Sequence, residues 1–364
     1  MLNIIPKFGF KVPFYPVELI LNTAMVAEKV GFDSVWTADH MVGISIDRRD
    51  CYSAWSLLSA IAIKTDKVML GTSVSDPCRF HPATMAQFAM TLQELSAGRF
   101  IFGLGAGEAQ NTLPYGIDCS NPVSKLEEAM KVMKLLFTGN EVSYTGRYFM
   151  LKGASLRPGS RDKAIPIWIA GNSKRTLELT ARYADGWIPL GVIFNPDAYR
   201  EALNMIESIR SKEEKANKFE PCLFLHVAID KDEKQAQSKA EYAGKLQVLG
   251  WAPDVYSELS EEQRKKLNFS KLVFDEATSS LLKEILNKIP IEPVLERTVV
   301  GSPAQCLEKI SRYIDAGAKH IIISFMGGNN KIRDSIDLFA REVIGYYKDS
   351  NMADSSKGTM KNQD

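Results

Sequence analysis

Short apolar runs rich in β-branched residues alternate with amphipathic helical patterns along most of this 364-residue chain. Such an alternation is typical of βα units built around a parallel sheet. Runs such as Ile321–Ile323 are apolar at every position, as expected for strands buried on both faces. Eight strands are predicted: Asn3–Phe10, Ser34–Thr37, Val68–Ser73, Phe100–Gly103, Ile165–Ala170, Gly186–Leu190, Leu223–Ile229 and His320–Ser324.

Eight strands with helices between them most simply close into an α/β TIM (β/α)8 barrel. A doubly wound sheet is compatible with the strand count, but no GxGxxG follows the first strand to support it. The charged, helical stretch at about 231–297 predicts an insertion before the last strand, and Tyr144–Tyr148 could form a small hairpin outside the barrel. We therefore predict a single domain over 1–349 and a disordered polar tail over 350–364.

Charge and composition exclude several classes of function. The chain carries 45 basic and 44 acidic residues, dispersed along its length, which disfavours nucleic acid as a partner. No apolar run approaches the ~18 residues of a membrane span, and the first residues lack signal-peptide features, so a cytoplasmic protein is expected. Five scattered cysteines without a CxxC, and four histidines without a cluster, disfavour both disulfides and a metal site.

Polar residues follow the second and third predicted strands, where a barrel would build its active site. Asp39 and His40 follow the second strand and could supply a carboxylate and an acid or base near neutral pH; the alternative is a helix cap beside a partly buried histidine. Ser73 and Val74 lie at the end of the third strand, where a planar ligand could approach the backbone, or where an ordinary turn could form. Arg79 could meet a phosphate or be a solvated charge.

The fourth and fifth predicted strands are also followed by candidate site residues. Glycines alternate from Gly103 to Gly107, which fits close backbone approach to a bound group, and Glu108 after them could act as a general acid. Gly171, Asn172 and Ser173 open a helix whose first N–H groups could seat a phosphate, although Ser173 could equally be a plain N-cap. His81, His226 and His320 have no identifiable partner and are interpreted as structural.

Several segments together resemble the luciferase-like superfamily, and within it the branch that depends on coenzyme F420. Within this branch the chain resembles the methylenetetrahydromethanopterin reductases and the phthiodiolone ketoreductase type, and residues 113–117, 182–189 and 299–303 especially suggest the ketoreductase type. The segments that carry the wider resemblance are residues 36–40, 71–74, 82–87, 98–111, 165–171 and 184–187.

The resemblance implies an enzyme that transfers a hydride between the deazaflavin of F420 and a small-molecule substrate, either a carbonyl compound or a methylene-bridged pterin. It implies a non-prolyl cis peptide at Ser73-Val74 behind the ring, with Asp39 and His40 near the reacting carbon and Glu108 as proton donor. A homodimer is expected from the same resemblance. The cofactor's tail and phosphate would then contact Gly105, Ala106, Gly107, Asn111, Gly171, Asn172 and Ser173.

Two other functions remain open at the level of sequence. One is an FMN-dependent monooxygenase of the same fold, and the other is a flavin-binding protein without catalysis, against which the presence of Asp39, His40 and Glu108 argues. Related sugar-phosphate and alcohol dehydrogenases carry a tryptophan shortly after the Asp-His pair, where this chain has Met41–Ile44. This departure disfavours glucose 6-phosphate or a simple alcohol, and residues 41–52 and the insertion are expected to select the substrate.

Overall fold

The computed structural model of the chain describes residues 5–47, 50–157, 164–215 and 217–350, so residues 351–364 of the predicted tail lie outside the described residues. Short 3-10 helices occur at Ala109–Asn111, Leu113–Tyr115, Pro253–Val255 and Asn329–Lys331. The strands are β1 (Lys7–Lys11), β2 (Ser34–Thr37), β3 (Met69–Thr72), β4 (Phe100–Leu104), β5 (Val142–Thr145), β6 (Met150–Ala154), β7 (Ile167–Ile169), β8 (Gly186–Trp187), β9 (Glu220–Ile229), β10 (Val299–Gly301) and β11 (His320–Phe325).

Helices follow most of these strands and form an outer layer. The last of them, α12, continues into a π-helical turn at Ala340–Ile344. The helices are α1 (Val17–Val30), α2 (Ala54–Ala62), α3 (Pro82–Leu95), α4 (Pro122–Phe137), α5 (Lys174–Tyr183), α6 (Pro196–Lys212), α7 (Glu233–Trp251), α8 (Glu261–Leu267), α9 (Glu276–Lys288), α10 (Glu292–Arg297), α11 (Pro303–Asp315) and α12 (Ile332–Phe339).

Eight of the described strands close into a parallel barrel, which confirms the predicted TIM barrel. Their order around the barrel is β9-β11-β1-β2-β3-β4-β7-β8, and β8 pairs with β9 to complete the ring. The doubly wound alternative is wrong, because a doubly wound sheet would leave two open edges where β8 here pairs with β9. Closure brings the carboxyl ends of all eight strands to one rim, where distant parts of the sequence meet.

The barrel interior is filled by large side chains opposite glycines. Trp36 on β2 and Trp168 on β7 lie with ring centroids 5.4 Å apart, and both are buried. A Cβ on Gly71 would lie 2.2 Å from the Trp36 ring, and one on Gly186 would lie 2.6 Å from the Trp168 ring. The tryptophans therefore fit only because the neighbouring strands carry glycine.

Two helices of the outer layer end at glycines in the left-handed conformation. α1 and α11 are followed by Gly31 at φ 99° and Gly317 at φ 107°, the left-handed conformation that a glycine adopts without a Cβ penalty. Each glycine ends its helix and turns the chain into the next barrel strand, β2 or β11. These two turns set where β2 and β11 begin.

Two additions decorate the barrel. β5 and β6 form an antiparallel hairpin outside it, which contains the predicted turn near Tyr144. Helices α7 to α10 lie between β9 and β10 and enclose their own apolar cluster, which includes Tyr256, Phe269 and Leu282. β10 was not among the predicted strands: its three residues extend the sheet beside the end of β9, with Val299 opposite Val227. A run of three residues carries too little pattern to be recognised.

The prediction against disulfides is wrong. Cys78 and Cys119 form a disulfide, with Cα atoms 5.2 Å apart and a sequence separation of 41. Cys78 follows β3 and Cys119 follows β4, and the loops after adjacent parallel strands meet at the same rim. The pairing thus depends on the closed barrel, and the spacing of the cysteines gives no hint of it.

Neither a membrane-spanning helix nor a metal cluster is found in the described parts of the chain. No helix there has the length and apolar character needed to cross a bilayer. Among the same residues, no group of three or more His, Cys, Asp or Glu side chains is arranged to hold a metal ion.

Candidate active site

The residues predicted for the site come together at one cavity. The cavity has a volume of about 390 Å³ and opens at the rim formed by the carboxyl ends of the strands. Its lining includes all twelve predicted residues: Asp39, His40, Ser73, Val74, Gly105, Ala106, Gly107, Glu108, Asn111, Gly171, Asn172 and Ser173.

His40 and Glu108 face each other across the cavity. His40 follows β2 and Glu108 follows β4, and His40 Nε2 lies 4.0 Å from Glu108 Oε1. The side chains are 9% and 17% exposed, so the cavity is their main opening to solvent. His40 Nδ1 is buried and has no hydrogen-bond partner in the described part of the chain. The pair can hold a proton between an imidazole and a carboxylate, or deliver one to a bound molecule.

The Asp39 carboxylate forms a buried ion pair with Arg79. Arg79 Nη2 lies 3.1 Å from Asp39 Oδ2, and the Ser75 hydroxyl donates a hydrogen bond to the same carboxylate oxygen. Arg79 Nε also donates to Asp76 Oδ2 at 2.6 Å. Burial disfavours the charged guanidinium, but the two carboxylates outweigh it and raise the pKa of Arg79. Arg79 is therefore neither a phosphate contact nor a solvated charge: it fixes the loops after β2 and β3 to each other.

The Val74 side chain lies against Gly105, between the ends of β3 and β4. Ser73-Val74 is a non-prolyl cis peptide, as the resemblance implies. A Cβ on Gly105 would lie 2.7 Å from Val74 Cγ2, and one on Gly103 would lie 1.8 Å from the Thr72 carbonyl oxygen. Gly103 and Gly105 are thus needed for the ends of β3 and β4 to approach each other, and Val74 lines the cavity beside them. The Ser73 hydroxyl is buried without a hydrogen-bond partner in the described residues, so it remains available to a ligand.

Ser173 caps helix α5. Its hydroxyl accepts from the Thr176 amide, and the Thr176 hydroxyl accepts from the Ser173 amide at 3.0 Å, which together form a capping box. The N-cap interpretation is therefore confirmed by geometry. The amides of Lys174 and Arg175, at the first helical positions, have no partner inside the helix and leave a positive helix end beside the cavity.

Asn111 ties two loops of the site together. Its side chain is 2% exposed, and its Oδ1 accepts a hydrogen bond of 2.8 Å from the Met41 amide. Asn111 follows β4 and Met41 follows β2, so this bond holds the Glu108 loop against the His40 loop. The amide side chain therefore has a local positioning role in addition to lining the cavity.

Comparison with known proteins identifies the family to which this chain belongs. The model of the luciferase-like monooxygenase family matches residues 15–320, most of the chain. The chain belongs to the luciferase-like family. Among curated proteins, this luciferase-like chain is 30% identical to a 5,10-methylenetetrahydromethanopterin reductase of Archaeoglobus fulgidus, over 93% of this chain and 98% of that one. It is 28% identical to an F420-dependent glucose-6-phosphate dehydrogenase of Microbacterium testaceum, over 93% and 96%.

A solved structure shares the fold of this luciferase-like chain. An F420-dependent secondary alcohol dehydrogenase in complex with an F420-acetone adduct superposes with a TM-score of 0.78 at 24% identity, covering 93% of this chain and 98% of that one. At this level of identity the similarity supports the barrel and its topology only.

Sequence reasoning missed cavity residues on the other half of this luciferase-like barrel. Lys11 on β1, Ser324 on β11 and His226 on β9 also line the cavity, so the structural interpretation of His226 is incomplete. His81 does act structurally, since it caps α3, and His320 is buried below the cavity. Strand alternation places Lys11 on the same face as the inward Gly9, but this signal becomes visible only when the barrel is known.

The loop after β2 and the helical insertion also reach the cavity. Ile44 lines it from the loop, and Gln247, Trp251 and Ser270 line it from the insertion. These are the two segments from which substrate selection was expected. They cover the mouth of the luciferase-like barrel opposite the floor formed by Val74.

Proposed function

We propose that this protein is an F420-dependent oxidoreductase that transfers a hydride between the deazaflavin and a carbonyl or methylene-pterin substrate. The observation that carries the proposal is the pairing of His40 with Glu108 across a cavity floored by Val74 and Gly105. Two relatives with full-length similarity, the reductase and the sugar-phosphate dehydrogenase, support the same class of chemistry.

The residues present fit a deazaflavin. The Val74 side chain offers an apolar face to a flat ring, and the unpartnered Ser73 hydroxyl offers it one hydrogen bond. Gly105, Ala106, Gly107 and Asn111 would hold the tail, and the helix end at Gly171, Asn172 and Ser173 would lie near its phosphate. When bound, F420 supplies a hydride in a single two-electron step.

The chain's own residues then manage one proton. We assign Glu108 as the acid that gives a proton to the oxygen of a carbonyl substrate as that oxygen becomes an alkoxide. His40, 4.0 Å from Glu108, passes a replacement proton to the Glu108 carboxylate after that transfer and hydrogen-bonds the substrate. Asp39, saturated by Arg79 and Ser75, is a positioning residue that fixes the His40 backbone.

The mouth of the cavity supports a substrate larger than a simple alcohol. Ile44, Leu190 and Trp251 line it with apolar surface, and Met41 stands among the residues where related dehydrogenases carry tryptophan. A pterin or a bulky ketone presents the apolar area that such a surface favours.

Anaerobic titration with oxidised F420 and, separately, with FMN tests the proposal through cofactor fluorescence. We expect saturable binding of F420 with much weaker binding of FMN. A preference for FMN would overturn the proposal in favour of an oxygen-dependent monooxygenase of the same fold. Binding of F420 without turnover of any ketone or methylene-pterin would favour a non-catalytic cofactor-binding role.

We further propose that residues 1–349 form one domain, that the protein is a homodimer, and that it acts in the cytoplasm without nucleic acid as a partner. The packing of the insertion onto the end of β9 through β10 supports the first of these proposals. Sedimentation equilibrium measures the second: a molar mass near twice 40.6 kDa is expected.

A further inference from the structure

Three polar side chains form a row across adjacent strands, away from the residues proposed to bind the cofactor. Ser324 on β11 lies directly opposite His226 on β9, and on the other side of β11 the register places Lys11 next to Ser324, because Phe10 lies opposite Ile323. Neighbouring strands are about 4.8 Å apart, so the three Cα atoms span roughly 10 Å. All three side chains line the cavity.

Lys11 is the unusual member of this row. Its ammonium forms no hydrogen bond or ion pair with any described residue, and it lies 3.5 Å from the centroid of the Phe14 ring. Burial lowers the pKa of Lys11 to about 8, an effect that the nearby Cys51 partly offsets. A cation–π contact replaces only a small part of the hydration that such a charge loses.

His226 brings a second unsatisfied group to the row. The residue is 7% exposed, and its Nδ1 is buried without a hydrogen-bond partner in the described ranges. Burial, with a further contribution from Lys11, lowers the pKa of His226 to about 3, so the imidazole is neutral and carries one N–H. The row thus combines a cation, a hydroxyl and a neutral ring, and contains no negative charge.

The proposed cofactor contacts do not use this row. They lie after β3, β4 and β7, whereas the row lies on β9, β11 and β1, which are separate in the strand order. His40 follows β2, which lies between the two groups of strands, and Glu108, after β4, lies 4.0 Å from it. A molecule held by the row would therefore present its other end to the proton-handling pair.

We propose that Lys11, Ser324 and His226 form an oxyanion subsite that holds a carboxylate or phosphate group of the substrate. An ammonium that has no ion pair among the described residues is stabilised when an anion enters the cavity, and the serine and the imidazole N–H complete the hydrogen bonds of that anion. This inference rests on the proposed function for the identity of the reacting end, but the anion site itself does not require F420. The substrate class becomes an anionic carbonyl or methylene compound.

Isothermal titration calorimetry with three matched aromatic probes tests the subsite, using the full chain with and without F420. Benzoate and phenyl phosphate carry the two candidate anions, and benzamide has the shape of benzoate without its charge. We expect benzoate or phenyl phosphate to bind about tenfold or more tightly than benzamide, as a charged hydrogen bond implies. The stronger of the two anions identifies the group.

Variants of two lysines on the same strand separate this site from general charge. Lys11→Met should lose the preference for the anion, and Lys11→Arg should keep most of it. Lys7→Met, at the opposite end of β1 and paired with Glu220, should keep it fully. Equal binding of benzoate, phenyl phosphate and benzamide, or a preference that survives Lys11→Met, would overturn the subsite.

Fluorescence titration of F420 on the same samples distinguishes failure of the subsite from failure of the proposed function. Binding of F420 without an anion preference contradicts the subsite alone. An anion preference without F420 binding contradicts the proposed function and leaves the oxyanion site in place.

Discussion

One carboxylate oxygen of Glu108 is hydrogen-bonded, and the other faces the cavity. Gln110 Nε2 donates to its Oε2 at 2.7 Å, while its Oε1 faces His40 and the cavity. The carboxyl group is therefore oriented before any ligand arrives, which is a requirement for efficient proton transfer.

Glu108→Gln should lower turnover by ~10²-fold or more, because the amide keeps the shape of the side chain but cannot donate an acidic proton. F420 affinity should be unchanged. Steady-state kinetics and fluorescence titration measure the two effects. Glu127→Gln, on the surface and paired with Lys131, is the matched control and should behave as wild type. Unchanged turnover in the Glu108 variant would remove this residue from the mechanism.

At the scale of single residues, the sequence predicts that a side chain belongs to the site when the residue directly follows a recognisable strand. Asp39, His40 and Glu108 follow apolar runs and could be placed at the rim before the barrel was seen. The partner of Asp39 could not, since Arg79 is 40 residues away and its burial depends on two loops meeting. Lys11 directly follows the first predicted strand and His226 lies within another, but no neighbour in sequence marks either of them as part of a site.

The conformation of the loop after β4 depends on the absence of a Cβ atom at Gly105. Gly105 passes so close to Val74 that any Cβ there would overlap the valine side chain. Valine is branched at Cβ and cannot rotate away freely, so the overlap must move the surface proposed to support the ring.

Gly105→Ala should therefore weaken F420 binding by roughly tenfold, an order of magnitude consistent with the cost of overpacking. Titration of cofactor fluorescence measures the change. Gly345→Ala is a suitable control, because its Cβ would meet only the Ala340 carbonyl oxygen at 3.7 Å, an ordinary contact. Wild-type affinity in the Gly105 variant would show that the ring does not rest on Val74.

At the scale of elements, length decides what the sequence reveals. Helix α3 is clearly marked in the sequence, because Pro82 stands at its first position and an amphipathic pattern continues over its 14 residues. β8 has two residues where five were predicted, and beyond it Leu190 only bridges to Phe224. Short strands are defined by their neighbours in the closed barrel, and their own residues carry little pattern.

The whole molecule contains two buried neutral histidines, and this affects its stability in acid. His320 Nε2 shares a hydrogen bond of 2.7 Å with the Ser34 hydroxyl, which itself accepts one from Trp36, and the ring lies 5.2 Å from that of Trp168. Burial, with a smaller effect of Lys7, lowers the pKa of His320 to about 3. In the unfolded chain the histidine would bind a proton below about pH 6.5.

The free energy of unfolding should fall as the pH is lowered from 6.5 toward 3, because the unfolded state takes up protons that the buried rings exclude. Each histidine contributes at most about 1.4 kcal/mol per pH unit. Urea unfolding at pH 7 and pH 5 measures the slope. His320→Gln should reduce it, whereas His81→Gln, a change at an exposed helix cap, should not. An identical slope in wild type and His320→Gln would contradict this account.

The order of strands around the barrel has a consequence for how such a protein can diversify. Three strands present the residues proposed for the cofactor, three others present the row with Lys11, and no residue belongs to both sets. Substitutions in β9, β11 or β1 can therefore change which substrate binds while the residues proposed to bind the cofactor stay the same. A library randomised only at Lys11, His226 and Ser324 would therefore vary the substrate specificity and leave the proposed cofactor site unchanged.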